Sequence, residues 1–559
     1  MSTFTPKLLT ILKNGYSTLD FRSDAIAGLT VAIVALPLSM ALAIASGASP
    51  EKGLITAVIA GFFISFLGGS RVQVGGPTGA FVVVIFNVIA NYGYDGLILA
   101  TLMAGVILLF AGYAKMGQII KFIPHPVVTG FTAGIALIIV SSQVKDFLGL
   151  KIENVPTDFI LKWKVYFESI STMSLPTLGV GFAVLMFIII LRRVTPKIPA
   201  YLIAVVLSAI AVSLFHIPIE TIGSRFPDIS NGLQMPQLPA WDFEKLKNVI
   251  PSAFTIAFLA GIESLLSAVV ADGMTGYKHR SNQELVGQGF ANIASGLFGG
   301  LPATGAIART ATNIKAGAKT PMAGVFHALF LLLFMIFFMD TMAFVPMTAL
   351  AAILFIVAWG MSEISHFIHI FRLSRTDRLV MILTFLLTVL VDLTVAIGVG
   401  VTMASLLFVK NMSQTVEIKS EWRKSNKLYD ENAEYKVQRH DLPQGVEVFQ
   451  ITGPLFFGVA SNLVDALKAM GAMPKVLILR MRLVPYLDAT GERVLESVVK
   501  QCKDRSTQII FSGLQHQPMQ MLKNAHIDEE KSYVSFSTNY ETALQQAKDI
   551  IIKGKVNHV

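Results

Sequence analysis

Long apolar stretches separated by short polar connections dominate the chain up to about residue 410. A helix that crosses a membrane needs about 20 consecutive, mostly apolar residues. We therefore predict a polytopic α-helical membrane protein with fourteen transmembrane segments in two sets of seven. The predicted segments are 24–46, 51–68, 76–90, 96–114, 126–144, 175–192, 199–215, 249–271, 284–299, 304–317, 321–339, 344–360, 378–391 and 394–410.

Two of these segments, the third and the tenth, are short, and glycine, proline and polar residues interrupt the chain where they begin. The interruptions are Gly68–Phe81 and Gly299–Thr310. Their lead-ins also match, since Ile55–Gly69 parallels Leu285–Gly300 and an acidic residue stands shortly before each. Paired interruptions in corresponding halves of a chain indicate the binding site of a transporter.

Broken backbone inside a membrane has a physical consequence. Lipid cannot satisfy unpaired N–H and C=O groups, so such segments must be buried in protein around a wet cavity. A half-helix that begins near the bilayer centre directs free N–H groups and a partial positive charge into that cavity. Two such helix ends facing each other predict an anion site. The alternative interpretation is that both segments are polar loops between ordinary helices.

Composition agrees with a membrane protein. The 559 residues are 53% hydrophobic and only 14% charged, with a mean hydropathy of +0.63, whereas soluble chains carry about 25% charged residues. The single cysteine excludes an internal disulfide framework. Basic residues at the cytoplasmic ends of helices account for the net charge of +9, so we expect no nucleic-acid partner. No apolar core with a cleavage site opens the chain, and we expect no removable signal peptide.

The distribution of Lys and Arg predicts the orientation. With the N-terminus inside, the inner connections are basic, while the short outer connections 91–96 and 340–346 contain no Lys or Arg. Such a bias over short loops sets topology. An even number of crossings places both termini in the cytoplasm, and an odd number per half predicts an inverted repeat. The predicted regions are 1–23, a cytoplasmic N-terminal segment; 24–215, the first repeat; 216–248, an outer loop; and 249–410, the second repeat.

The composition changes after the last apolar segment. Residues 411–444 read as a charged cytoplasmic linker, and residues 445–556 alternate strands with helices, which predicts a small α/β domain. This domain has no glycine-rich phosphate loop, no metal-spaced Cys/His cluster and no nucleophile elbow, so we expect no enzyme. The predicted strands are Val446–Thr452, Val476–Met481 and Ile509–Ser512, and the predicted helices are Ser461–Met470, Glu492–Lys503 and Tyr540–Ile552.

Glu263 stands alone within an apolar run. A carboxylate at mid-membrane costs roughly 2.5–3.5 kcal/mol on insertion scales, and burial favours its neutral form. It is therefore a candidate for coupling transport to H⁺, or to Na⁺ as a metal ligand, together with the hydroxyls of Ser267 and Thr304. The alternative is a permanently protonated, structural Glu263 bonded to Ser267, one turn further along the helix.

Arg309 is the other charge at depth, about one turn into the tenth segment. It either adds a fixed positive charge to the anion site, extends towards the cytoplasm, or pairs with Glu263. Thr78 offers a hydroxyl to the site, although membrane threonines commonly bond their own backbone. Pro37 with Ser39 breaks the first helix beside the proposed cavity.

These residues resemble the sulfate permease (SulP) family of anion transporters, over about residues 20–555. The resemblance implies a seven-plus-seven inverted repeat, a core domain that carries the substrate, and a gate domain that dimerises. It also implies that the anion lies between the third and tenth half-helices. The matching motifs are Asp24–Gly28, Pro37–Gly47, Gly75–Thr78, the run 282–320, and Asp488–Gly491, which resembles the signature loop of a STAS domain.

The resemblance also assigns individual positions. Glu263 falls on the acidic position of the eighth helix, where sodium-driven bicarbonate members have Asp and proton-linked members have Glu. Glu263 therefore favours H⁺ without excluding Na⁺. The STAS loop has Ala489 where anti-sigma-factor antagonists carry a phosphorylated Ser, which excludes that switch here. The substrate-binding positions fall on Ser39, Ala43, Thr78, Gly79, Ala306, Ile307, Ala308 and Arg309.

The function predicted from the sequence is secondary active transport of a small anion by elevator-like alternating access, with H⁺ or Na⁺ coupling and no cofactor. Bicarbonate, sulfate and C4-dicarboxylates are the candidate anions. Two alternatives stay open: an uncoupled anion exchanger or channel, and a membrane scaffold that recruits cytosolic enzymes through the STAS domain. We expect a lipid-surrounded homodimer in a bacterial inner membrane and a cytosolic protein partner for the STAS domain.

Overall fold

The computed structural model divides the chain into two compact units, 1–404 and 405–559. Within the described residues, nine helices are long and apolar enough to cross a membrane. The described residues are 4–118, 124–153, 155–195, 199–227, 229, 232–233, 235–240, 242–391, 393–420, 442–459, 463–466, 473–528 and 533–556.

A helix occupies each of the fourteen positions predicted from the apolar runs, and shorter helices connect them. The helices before the second unit's sheet are α1 (Lys7–Asn14), α2 (Thr18–Ala45), α3 (Pro50–Leu67), α4 (Val82–Tyr113), α5 (His125–Leu148), α6 (Phe159–Glu168), α7 (Leu175–Val194), α8 (Ala200–Leu214), α9 (Ile222–Arg225), α10 (Phe243–Thr275), α11 (Ser281–Leu297), α12 (Ile307–Lys315), α13 (Met322–Met342), α14 (Met347–Met361), α15 (Ile364–Arg372), α16 (Arg375–Leu390) and α17 (Leu393–Thr415).

Two groups of helices pack within the first unit. In one group α4 packs against α10 and α11, and α13 packs against α2 and α3. In the other, α5 packs against α14 and α16, and α7 packs against α14. Small residues allow the close approach: a Cβ at Gly105 of α4 would lie 2.8 Å from the carbonyl oxygen of Gly289 on α11. We call these groups the core bundle (α2–α4 and α10–α13) and the second bundle (α5, α7, α8, α14 and α16).

The break expected between the third and fourth segments is present, because α4 leaves helical geometry at Gly93 (φ 70°, ψ −178°), within the predicted connection 91–96. Other local features differ from the prediction. The short helices α1, α6, α9 and α15 were not predicted, because none contains an apolar run of spanning length. The predicted linker from residue 411 also contains regular structure, since α17 continues to Thr415 and a strand follows at Glu417–Ser420. The remainder of that segment, 421–441, lies outside the described residues.

The second unit is built on a five-stranded sheet with helices on both faces. The strands β3 (Glu417–Ser420), β4 (Val446–Thr452), β5 (Val476–Leu483), β6 (Gln508–Ser512) and β7 (Val534–Ser537) lie in chain order. The pair β3–β4 is antiparallel and the other pairs are parallel. The helices α18 (Ala489–Asp504) and α19 (His516–Asn524) cover one face, and α20 (Tyr540–Val556) covers the other.

The sequence predicted three of these strands and missed β3, β7 and α19. Of the predicted helix Ser461–Met470, the structure describes residues 463–466, which are helical. Asp488 begins α18: its Oδ1 accepts the amide of Gly491 at 2.7 Å, and its Oδ2 accepts the amide of Phe457 at 3.1 Å. Cys502 lies buried in the core between α18 and the sheet, and burial raises the pKa of its thiol to about 12.

Candidate functional site

The two interrupted segments meet inside the core bundle as a short antiparallel ladder. Its strands are β1 (Gly75–Gly76) and β2 (Thr304–Gly305), and the register pairs Gly75 with Gly305 and Gly76 with Thr304. The amide of Ala306 extends the ladder by donating to the carbonyl of Val74 at 2.9 Å. Backbone groups that lipid would leave unpaired therefore pair with each other, as buried irregular backbone must.

A helix begins just after each strand, and because the strands are antiparallel the two helices leave the ladder in opposite directions. On one side a 3₁₀ turn, Gly79–Phe81, leads into α4, and on the other α12 begins at Ile307. Neither preceding residue, Thr78 or Ala306, accepts a side-chain capping bond from its helix. The first amides of a helix have no intrahelical acceptor, and together they carry a partial positive charge. Ile307 is 37% exposed, so the start of α12 can be reached from outside the protein.

Arg309 projects from α12 into the space beneath the other helix start. Its Nη2 donates to the Ser39 hydroxyl and to the Pro77 carbonyl, both at 3.1 Å. The side chain is only 2% exposed, and its Nε and Nη1 have no hydrogen-bond partner within the part of the chain that the structure describes. Because the side chain is buried, Arg309 does not extend to the surface, and its contribution to an anion site stays a prediction. No ion pair joins it to Glu263 among the described residues.

Gly76 makes room for this guanidinium. Its φ of +152° lies in the region that favours glycine, and a Cβ there would stand 2.2 Å from Arg309 Nη1. A side chain at residue 76 would therefore have to displace the charged group. Gly76 and Arg309 thus pack directly against each other, although 233 positions of the sequence separate them (309 − 76).

Glu263 of α10 is joined to the same helix start. The Thr78 hydroxyl donates to Glu263 Oε2 at 2.7 Å. This contact replaces the predicted bond to Ser267, which instead pairs with the Thr310 hydroxyl at 3.1 Å. Thr78 immediately precedes the 3₁₀ turn, so the Glu263 carboxylate is hydrogen-bonded to the residue that opens one half-helix.

Other predicted site residues have framework contacts. The Thr304 hydroxyl donates to the Ala260 carbonyl on α10 at 2.8 Å. Ala43 is fully buried and faces Gly53 of α3, where a Cβ would lie 3.0 Å from that of Ala43. Ala306 is buried and Ala308 is exposed at the start of α12. The structure therefore places five of the predicted site residues around the helix starts: Ser39, Thr78, Glu263, Ile307 and Arg309. Three others pack behind them: Ala43, Ser267 and Thr304.

A buried polar network, which was not predicted from the sequence, stabilises the segment that leads into β1. Glu284 Oε2 accepts the amides of Gly69 and Ser70, at 2.8 and 3.0 Å. Its Oε1 accepts from Ser264 at 2.9 Å, and Ser264 in turn accepts from Gln73 at 2.9 Å. The sequence contained a signal for this network, because an acidic residue stands before each interrupted segment and Glu284 is one of these two residues. A buried carboxylate with four donors (Gln288 Nε2 is the fourth, at 2.9 Å) is well satisfied.

The second bundle closes over the first helix start. A Cβ at Gly79 would meet Met361 Sδ at 2.6 Å and Ile139 Cδ1 at 3.1 Å. Met361 ends α14 and Ile139 lies on α5, so both belong to the second bundle. The boundary between the two bundles therefore passes directly over the candidate site. Within the described residues, no cluster of three or more His, Cys, Asp or Glu side chains is arranged to hold a metal ion.

Apolar helices around two paired, interrupted segments with uncapped helix starts define a multi-pass membrane transporter. Residues 21–384 match the Sulfate permease family, and residues 440–543 match the STAS domain. The chain therefore belongs to the sulfate permease family, a family of anion transporters, and it carries a C-terminal STAS domain.

Relatives and solved structures agree with this assignment. YvdB of Bacillus subtilis (strain 168), named for sulfate transport, is 42% identical over 510 residues, or 91% of this chain and 94% of its own. The bicarbonate transporter BicA of Picosynechococcus sp. is 32% identical over 528 residues, or 90% of each chain. The transmembrane domain of a cyanobacterial BicA has a TM-score of 0.60 at 30% identity, covering 68% of this chain and 99% of that one. SLC26A9 shares the fold, with a TM-score of 0.84 at 17% identity over 98% of this chain and 92% of that one.

Proposed function

We propose that the chain carries out secondary active transport of a small anion across the bacterial inner membrane. The observation that carries this proposal is the pair of uncapped helix starts with Arg309 beneath them. A bound anion would accept backbone N–H groups from both helices and lie near the Arg309 guanidinium, whose Nε and Nη1 have no hydrogen-bond partner among the described residues. Relatives named for sulfate and for bicarbonate transport support these two anions as candidates, and C4-dicarboxylates remain the third.

Coupling is proposed to act through Thr78 and Glu263. A threonine hydroxyl has one hydrogen to donate, and in this structure Thr78 donates it to the Glu263 carboxylate. A protonated Glu263 would instead donate to the Thr78 oxygen, which frees the Thr78 hydrogen to face the anion. Protonation would also remove a negative charge beside the anion. Both effects favour binding of H⁺ and the anion together, with Na⁺ as the alternative coupling ion.

Alternating access is proposed to follow an elevator motion of the core bundle against the second bundle. The support is the boundary described above: the site belongs to the core bundle, while Met361 and Ile139 of the second bundle cover Gly79. We further propose fourteen crossings in a seven-plus-seven inverted repeat, with both termini cytoplasmic. The repeat is supported by the antiparallel pairing of the two interrupted segments, and the orientation by the basic inner connections.

The STAS domain is proposed to bind a cytosolic protein, and the chain to form a homodimer. The domain has no serine after Asp488, so phosphorylation of that position is not part of this proposal. Residues 445–556 remain our proposed extent of the domain, following a cytoplasmic linker at 411–444.

Transport by the purified chain in proteoliposomes tests the proposal. Labelled sulfate, bicarbonate and a C4-dicarboxylate are offered with an imposed proton gradient, a sodium gradient, or neither. We expect accumulation of at least one anion that collapses when the coupling gradient is abolished. Equal flux with and without gradients would indicate an uncoupled exchanger or channel, and no flux of any anion would contradict the proposal.

Thr78 provides a sharper test of coupling. Thr78→Val removes the hydroxyl, Thr78→Ser retains it, and Thr101→Val is the matched control. Thr101 lies buried on α4, the helix that the Thr78 turn leads into, but its hydroxyl bonds its own helix at the Leu97 carbonyl. We expect Thr78→Val to weaken gradient-driven accumulation, and the other two variants to resemble the wild type. Full accumulation by Thr78→Val would contradict the coupling step.

A further inference from the structure

Lys162 is a buried cation that has no role in the transport cycle proposed above. It lies on α6, in the outer loop between α5 and α7, and is 5% exposed. Its Nζ stands 5.9 Å from the centre of the Phe86 ring on α4. Within the described part of the chain no carboxylate forms an ion pair with it. Burial lowers the pKa of Lys162, because the ammonium gives up water, and the charge of Asp158 at the start of the same helix offsets only part of this effect.

The contact between Lys162 and Phe86 joins the two bundles. On one side, α6 packs against α5 and α16, and the Trp163 indole donates to the Ser141 hydroxyl of α5 at 3.2 Å. On the other side, Phe86 belongs to the core bundle and lies against the end of α2, where a Cβ at Gly47 would stand 3.3 Å from its ring. Lys162 is thus attached to the second bundle and contacts the core bundle.

The position of Phe86 relates this contact to the anion site. Phe86 is seven residues after Gly79 along the α4 segment, or about 10 Å at 1.5 Å per residue. The ring therefore lies about two turns from the site, towards the outer loop that carries α6. In this conformation, the half-buried Phe86 and the buried Lys162 side chain stand together at the proposed outer end of the boundary between the bundles.

We propose that Lys162 is an outer anion-capture residue, which seals the outer end of the path when it contacts Phe86 and receives the entering anion when the bundles separate. This inference rests on the proposed transport function. Any elevator movement of the core bundle must break the contact, because its two sides belong to different bundles. The released ammonium then faces the opening. Asp158 offsets part of its charge but forms no ion pair with it among the described residues, so the ammonium raises the local concentration of small anions there.

Side-specific kinetics test this role in the full-length chain. Proteoliposomes of one orientation give the KM for sulfate and for bicarbonate at the outer face, and counterflow gives it at the inner face. Lys162→Gln should raise the outer KM roughly two- to fifteenfold, the range for one charge at about 10 Å between water-like and protein-surface dielectrics. The inner KM should not change, and Lys162→Arg should retain the wild-type outer KM.

Lys164→Gln is the matched control. Lys164 lies on the same helix, two residues further along, with a side chain that is 68% exposed and 3.9 Å from Glu168. It should leave both KM values unchanged. An unchanged outer KM in Lys162→Gln, or equal changes at both faces, would overturn the inference. If the wild type itself carries no anion, the transport proposal fails instead.

A labelling experiment gives an independent readout. Lys162→Cys is treated from outside with a membrane-impermeant thiol reagent, with and without a transported anion. The buried Cys502 thiol should not compete. We expect labelling to depend on the anion, because turnover opens and closes the contact with Phe86. A labelling rate that the anion does not change would contradict a contact that opens during transport.

Discussion

Replacement of Arg309 tests whether a fixed charge, rather than the shape of the pocket, contributes to anion binding. Arg309→Ala removes a guanidinium that bonds Ser39 and the Pro77 carbonyl at 3.1 Å. Pro77 immediately precedes Thr78, so the charge lies next to the first half-helix. An anion about 8 Å away, at an effective dielectric constant of about 20, would lose about 2 kcal/mol per unit of anion charge.

The charge dependence makes this prediction sharp. About 2 kcal/mol corresponds to a roughly 30-fold higher KM for a monovalent anion, and twice that energy to roughly 1,000-fold for a divalent one. The absolute factors depend on distance and dielectric, but Coulomb energy is proportional to the anion charge. The factor for sulfate should therefore be close to the square of the factor for bicarbonate, whatever the distance.

Uptake against concentration measures both factors, with the anion that is not carried used as a competing inhibitor. Lys315→Ala is the control, because Lys315 is an exposed cation at the other end of the same helix. Gly76→Ala should resemble Arg309→Ala in part, since its Cβ would displace Nη1. Equal factors for sulfate and bicarbonate in Arg309→Ala would refute a charge effect and leave only a structural role.

Three further predictions concern coupling, the bundle boundary and the STAS domain. Glu263→Gln should abolish gradient-driven accumulation while anion exchange in counterflow continues; accumulation at the wild-type level would remove Glu263 from coupling. Gly79→Val should block transport, since its side chain would clash with Met361 Sδ, and adding Met361→Ala should restore part of the flux; normal uptake by Gly79→Val alone would contradict the site. The Cys502 thiol should not react with a disulfide reagent at pH 8, because its raised pKa leaves about one thiolate in 10,000 molecules and ionisation begins only as the pH rises towards 12; rapid reaction of the native chain would contradict its burial.

The helices were predictable because apolar length is a local property of the chain. Each predicted segment needed only about 20 residues of sequence, and the structure has a helix at each position. The amphipathic helix α15 was missed for the same reason, since Ile364–Arg372 contains too few consecutive apolar residues to register as a span. The break at Gly93 was predicted as part of the connection 91–96, because Asn91, Gly93 and Asp95 interrupt the apolar run there.

The centre of the site was partly predictable. Two interrupted segments were sufficient to predict two helices that begin close together, but their pairing through β1 and β2 depends on contacts between distant parts of the chain. Hydroxyl partners were not predictable from spacing. Ser267 is one turn from Glu263 and bonds Thr310, whereas Thr78, which is 185 positions away, bonds the carboxylate. Helical periodicity predicts the face of the helix on which a residue lies. Tertiary packing decides which residue of another segment contacts that face.

The ladder between β1 and β2 has a consequence for how the chain is made. Residues 75–76 enter the membrane long before residues 304–305 leave the ribosome, so the first strand has no partner during that interval. Unpaired backbone groups in hydrocarbon cost several kcal/mol each, and the first half must be shielded by water, lipid headgroups or the insertion machinery until Thr304 and Gly305 arrive. We therefore expect a late step in biosynthesis in which the two halves join through these strands, and the candidate anion site is complete only after that step.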